Sequence, residues 1–144
     1  MKTVQSIIDL LGGLEALKEH PIRLQVAGFM PLVIEHVGAG PRGLPLVSVA
    51  HYYEQQGDLM ADPDMTFEVA DGGAWHPVEF QQASPPVYQR AVWIGDDGKV
   101  LIKPKLVADL KRFAKVWDRN LREQGFLKAA QEKASSNNRE QEEE

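Results

Sequence analysis

From Ile22 to Ile102 apolar and polar residues alternate with a period of two, and turn-forming residues break the pattern every few positions. That combination constrains the fold more than any other feature of the chain. Ile22–Ala27, Pro31–Val37, Leu44–Glu54, Met65–Ala70, Trp75–Gln81, Val87–Ile94 and Lys99–Ile102 read as strands. Gln55-Gln56-Gly57-Asp58 reads as a hairpin turn, and Asp62-Pro63-Asp64 as an interruption of the strand returning from it. Gly38–Gly43, Asp71-Gly72-Gly73, Ser84-Pro85-Pro86 and Asp96-Asp97-Gly98 supply the other breaks. Connections this short join antiparallel neighbours, because a parallel pair needs a crossover of about a dozen residues or more.

Helical periodicity brackets this region. Thr3 is placed to cap a helix over residues 4–11, carried by Val4, Ile7, Ile8 and Leu11 and interrupted at Gly12-Gly13. A further turn runs to His20-Pro21. Pro104 opens the last helix, where a missing N–H costs little. Leu106, Val107, Leu110, Phe113, Ala114, Trp117 and Leu121 fall within about 120° of its circumference, and the sheet is the only large surface such a stripe can cover. Gly125 is its natural stop. The expected fold is therefore α+β: an antiparallel meander of about six strands, an N-terminal helix, and a C-terminal amphipathic helix on one face. Residues 1–126 form one domain, and residues 127–144, polar and ending in glutamates, read as a partly or wholly disordered acidic tail.

With 144 residues, 43% hydrophobic and 26% charged, the chain is sized for one globular domain. It has no cysteine, which excludes a disulfide scaffold, a thiolate metal centre and a thiol nucleophile. Its apolar runs fall far short of the ~20 residues of a membrane span. The N-terminus leads into an amphipathic pattern rather than a signal-peptide block, so a cytoplasmic setting without a membrane partner is expected.

Charge is partitioned sharply. Residues 1–98 hold 13 acids and 5 bases, a balance of −8; residues 99–122 hold 8 bases and 2 acids, a balance of +6. On the last helix Lys111, Arg112, Lys115, Arg119 and Arg122 lie opposite the apolar stripe. Lys111/Lys115 and Lys115/Arg119 are like charges four apart, each pair costing roughly 0.2–0.5 kcal/mol without a counter-charge. Asp109 and Asp118 are spaced to offset Arg112 and Arg122. An anionic partner, either a nucleic-acid backbone or an acidic protein surface, accounts for the arrangement. The ordinary alternative is a solvated helix face.

The stretch from His51 to Met65 is the most distinctive. Alternation places Val47, Val49, His51 and Tyr53 on one face of their strand and Ser48, Ala50, Tyr52 and Glu54 on the other. His51, Tyr53, Glu54, Asp58, Asp62 and Asp64 together suggest an acidic hairpin surface able to bind a basic partner. His51 with Asp58, Asp62 and Asp64 also has the composition of a hard-metal site. The spacing follows no metal motif, and Glu79-Phe80-Gln81 lacks the lysine that a nuclease reading requires. The ordinary alternative makes His51 and Tyr53 sheet residues and the aspartates turn formers. His20, His36 and His76 are isolated, no serine sits in a nucleophile elbow, and the glycines of residues 38–43 lack the following helix a phosphate cradle needs. Trp75, Tyr88 and Trp93 read as sheet core. No cofactor or resident metal is implied.

Phe29–Glu35, Leu46–Met60, Asp62–Met65 and Trp117–Phe126 together resemble an uncharacterised domain family of bacterial plasmids, integrative elements and prophages. The resemblance spans most of residues 4–126 and supplies no catalytic residues to carry over. It implies a mobile-element setting, where small accessory proteins manage DNA maintenance, transfer or host defence. The expected function is a non-enzymatic binding module acting on nucleic acid or a host protein through a charged surface, an inhibitor of host defence being one form. The runner-up is a metal-dependent hydrolase or nuclease built on His51. A homodimer pairing the basic face of one copy with the acidic hairpin of another is a third reading.

Overall fold

A computed structural model of the chain describes residues 1–143. Two helices come first, α1 (Lys2–Leu10) and α2 (Gly13–Glu19). Gly12 parts them at φ 109°, and a Cβ there would lie 2.7 Å from the Ala16 Cβ, so a side chain is barred on both counts. Thr3 does not cap α1. The helix starts at Lys2, and its first N–H groups turn to a carboxylate from the far end of the chain, Asp118.

Six strands follow: β1 (Ile22–Leu24), β2 (Leu32–Ala39), β3 (Pro45–Gln55), β4 (Asp58–Val69), β5 (Trp75–Gln82) and β6 (Val87–Arg90). They lie side by side in chain order, every neighbour antiparallel, as the expected meander requires. Positive φ at Gln56 and Gly57 makes the tight turn between β3 and β4.

Three strand readings change. The first shrinks to β1. The Val87–Ile94 run splits at Ala91, which is buried; its N–H donates to the Val78 carbonyl (2.7 Å) and its carbonyl accepts from the Lys103 N–H (2.9 Å). The chain then leaves the sheet as a separate ribbon, β7 (Val92–Ile94) and β8 (Val100–Ile102). Asp62-Pro63-Asp64 does not interrupt the return strand but lies inside β4. A register shift opposite His51, between the Ala50↔Asp64 and Tyr52↔Ala61 pairs, accommodates a proline that has no N–H for the ladder.

Register aligns one apolar row across five strands: Ile22, Ile34, Val49, Met65 and Phe80, all buried. Two long helices cover this face, α3 (Pro104–Glu123) and α4 (Phe126–Glu143). From α3, Leu110, Ala114, Trp117 and Leu121 are buried, while Phe113 stays 41% exposed with its ring edge-on to Phe80 (5.4 Å). The chain beyond residue 126 is not a detached tail at its start. Phe126 and Ala130 are fully buried and Leu127 and Ala129 pack against the core, so the folded body continues into α4. The polar residues after Ala130 are helical through Glu143, and Glu144 lies outside the described residues.

The opposite sheet face carries a polar row: Glu35, Ser48, Thr66, Glu79 and Arg90. On β4, two residues beyond Thr66, Glu68 is wholly buried. Its carboxylate accepts from the Arg42 and Leu44 N–H groups (3.0 and 3.3 Å) and from Arg42 Nε (2.7 Å). The Gly38–Gly43 segment is thus tied down by a buried acid, and Gly40 is obligatory because a Cβ would sit 2.3 Å from the Glu68 Cγ. No helix among the described residues is long and apolar enough to cross a membrane.

Candidate functional site

Covering the sheet with α3 turns the helix's charged side outward and leaves a groove where it passes the start of α1 and the β4–β5 end of the sheet. The groove encloses about 610 Å³. Lys111, Lys115, Arg119 and Arg122 of α3 rim it, and Lys2 of α1 joins them; all five are exposed. Phe67, Trp75, Pro77, Ala114 and Val116 make an apolar floor and wall.

The rim cations have no ion-pair partners among the described residues. Arg112 differs. It pairs with Asp109 one turn earlier and does not line the groove. Asp118 does not neutralise Arg122 as its spacing suggests. It is buried, and its two oxygens accept the Thr3 N–H (3.1 and 3.0 Å) while Oδ1 also accepts the Val4 N–H (3.3 Å). A carboxylate at a helix N-terminus satisfies orphan donors and meets the positive end of the helix dipole. The one acid in the groove wall is thereby committed to the fold, and the cation excess of residues 99–122 is left facing solvent.

Trp75 is the fixed element of the floor. Its indole N–H donates to the Gln5 side-chain oxygen (2.9 Å), and its ring meets Phe67 edge-on with centroids 5.4 Å apart. The protein-family model described as Domain of unknown function (DUF6908) matches residues 2–127, which takes in all five rim cations and the apolar floor of this groove. The chain belongs to that family. No curated protein and no solved structure matches it.

In this DUF6908 domain the six hairpin residues do not gather into one surface. His51 is 7% exposed and faces the helices, its ring 5.7 Å from Trp117 and 5.5 Å from Phe126. Its Nδ1 donates to the Pro31 carbonyl (3.2 Å). Asp64 opposes Ala50 and takes the Ser48 hydroxyl (2.8 Å), which sets it on the opposite, polar face. Glu54 and Asp58 stand exposed at the hairpin tip, while Tyr53 and Asp62 are half-buried. Asp62 and Asp64 are strand residues, not turn formers. Among the described residues no three His, Asp or Glu side chains converge as a metal centre needs.

Burial pushes the Asp64 carboxyl up, the Ser48 hydroxyl opposes this, and Glu35 and Glu79 push it further up. The same polar cluster raises Tyr52, chiefly through burial. His51 is pulled below its usual value by burial, which outweighs the Pro31 and Met30 carbonyls and Asp62. The unfolded chain therefore takes up a proton at His51 more readily than the folded one. The stability this contributes is complete above pH ~6.5 and is lost as pH falls below it. Denaturant midpoints should drop between pH 7.5 and 5.5, and the drop should shrink in His51→Phe, whose ring suits the same aromatic surroundings. An equal drop in both proteins contradicts the assignment.

The α3 cations were readable from helical spacing alone. Lys2, Trp75 and Pro77 were not, because nothing local in the sequence indicates that the β4–β5 end and the first helix close against the third.

Proposed function

We propose that the protein is a non-enzymatic accessory module that binds the phosphate backbone of nucleic acid through the groove of Lys2, Lys111, Lys115, Arg119 and Arg122. One observation carries this reading. Among the described residues, five exposed cations without carboxylate partners surround a single concavity whose one acid is spent on capping α1. Holding like charges this close costs stability, and phosphates remove that cost while releasing condensed counterions. Nothing on the rim is arranged to read base edges, so the contacts position the nucleic acid rather than select its sequence.

The likeness of Phe29–Glu35, Leu46–Met60, Asp62–Met65 and Trp117–Phe126 to a family of plasmids, integrative elements and prophages supports the rest of the reading. We place the module in the cytoplasm on such an element, serving its maintenance, its transfer or its escape from host defence.

Fluorescence anisotropy with a labelled oligonucleotide tests the proposal. The logarithm of affinity should fall linearly with the logarithm of salt, with a slope of about −3 to −4 if four or five phosphates are neutralised. Replacing Lys115 and Arg119 together with alanine should flatten that slope by about 1.5 to 2. Absence of binding at low salt, or an unchanged slope in the double variant, overturns the reading and directs attention to an acidic host protein.

A further inference from the structure

We infer that the groove takes a single strand, with a base laid against Trp75 and Val116 and the neighbouring phosphates on Lys111, Lys115 and Arg119. This rests on the nucleic-acid reading above and specifies the form of the ligand.

The floor is the first reason. A duplex presents sugar and phosphate to a protein surface and keeps the faces of its bases stacked inside. The wall and floor between the cations are apolar: Phe67 and Pro77 are buried, Trp75 is half-buried and Val116 is 49% exposed. Such a surface gains nothing from a duplex backbone. It gains from an unstacked base, whose flat face is apolar and has no sequence requirement.

The fixing of Trp75 is the second reason. Its indole N–H is held by Gln5 and its ring is braced by Phe67. A ring already locked in place loses little freedom when a base settles on it, so the contact energy is retained.

Spacing is the third. Lys111, Lys115 and Arg119 succeed one another every four residues, about 6 Å along the helix axis. That is the scale of one nucleotide of an extended strand, and a volume of about 610 Å³ suits a short stretch rather than a double helix. The start of α1, which otherwise offers N–H groups to an anion, is already closed by Asp118, so the phosphates fall to the side-chain cations.

The test compares three fluorescein-labelled probes at one low salt concentration: a twenty-residue oligothymidylate, a duplex of the same length, and inorganic polyphosphate. The single strand should bind at least tenfold tighter than the duplex. Trp75→Leu keeps an apolar side chain in the floor but removes the flat face. It should lose roughly tenfold on the single strand, leave duplex and polyphosphate unchanged, and be rescued by Trp75→Phe. A melting curve for each variant confirms that the fold is intact. Should Trp75→Leu unfold, Val116→Ser, at an exposed position, should lower single-strand affinity alone by about threefold. Equal affinity for single strand and duplex, or single-strand binding indifferent to these substitutions, overturns the inference while leaving the backbone reading in place. Failure of all three probes to bind removes the backbone reading itself.

Discussion

Phe126→Ala is expected to destabilise the protein by about 3–5 kcal/mol, a fall in Tm of roughly 10 °C or more. The phenyl ring is wholly buried, and it lies 5.5 Å from the His51 ring and 6.4 Å from that of Phe29. Truncation leaves a cavity that its neighbours cannot close, because His51 is tethered to the Pro31 carbonyl and packed on Trp117. Part of the cost is the lost transfer of an aromatic ring from water and part is the cavity itself. Cutting the chain after Gly125 should be worse, since Ala130 and the half-buried Leu127 and Ala129 leave with it. Urea titration of the variant checks the first claim, and soluble yield with circular dichroism of the truncated chain checks the second. A truncated chain as stable as the full one would show that α4 is an appendage.

Asp118→Ala should cost about 2–4 kcal/mol, because it strips the Thr3 and Val4 N–H groups of their acceptor in a buried setting. Asp118→Asn keeps an oxygen in place but forfeits the charge facing the helix dipole, so a loss nearer 1 kcal/mol is expected. The order wild type, asparagine, alanine is the prediction, read from denaturant midpoints. The asparagine variant has a second readout. It removes the one negative charge that the described residues place in the wall of the cationic groove, so anisotropy should show tighter binding to the oligonucleotide together with lower stability. Equal stability of all three proteins would mean that α1 holds its place without the cap.

The meander was legible because its evidence is local. Alternation of period two, a Gln56-Gly57 turn and short connections each depend on neighbours in the chain, whereas the register that aligns the row from Ile22 to Phe80 is set by the strands together. The α3 stripe was legible for the same reason, and Leu110, Ala114, Trp117 and Leu121 are buried as its spacing demands. Asp62-Pro63-Asp64 misled because proline and aspartate are turn formers in isolation. Inside β4 the adjacent strands supply a shifted register that absorbs them. The start of α4 was obscured by the polar residues that follow it, since two buried positions, Phe126 and Ala130, make too short a stripe to announce a packed helix.

The site divides along the same line. Sequence by itself determined the antiparallel meander class, the amphipathic helix and the run of cations on one side of it, all consequences of periodicity and turn residues local in the chain. Only the tertiary structure decided that His51 and Asp64 part to opposite faces, that Asp118 belongs to α1 rather than to Arg122, and that Trp75 lines the same groove as Lys115. Those outcomes depend on contacts between residues as much as 115 positions apart. Packing of whole elements sets such contacts, and packing minimises exposed apolar area over the entire chain rather than over any window of it.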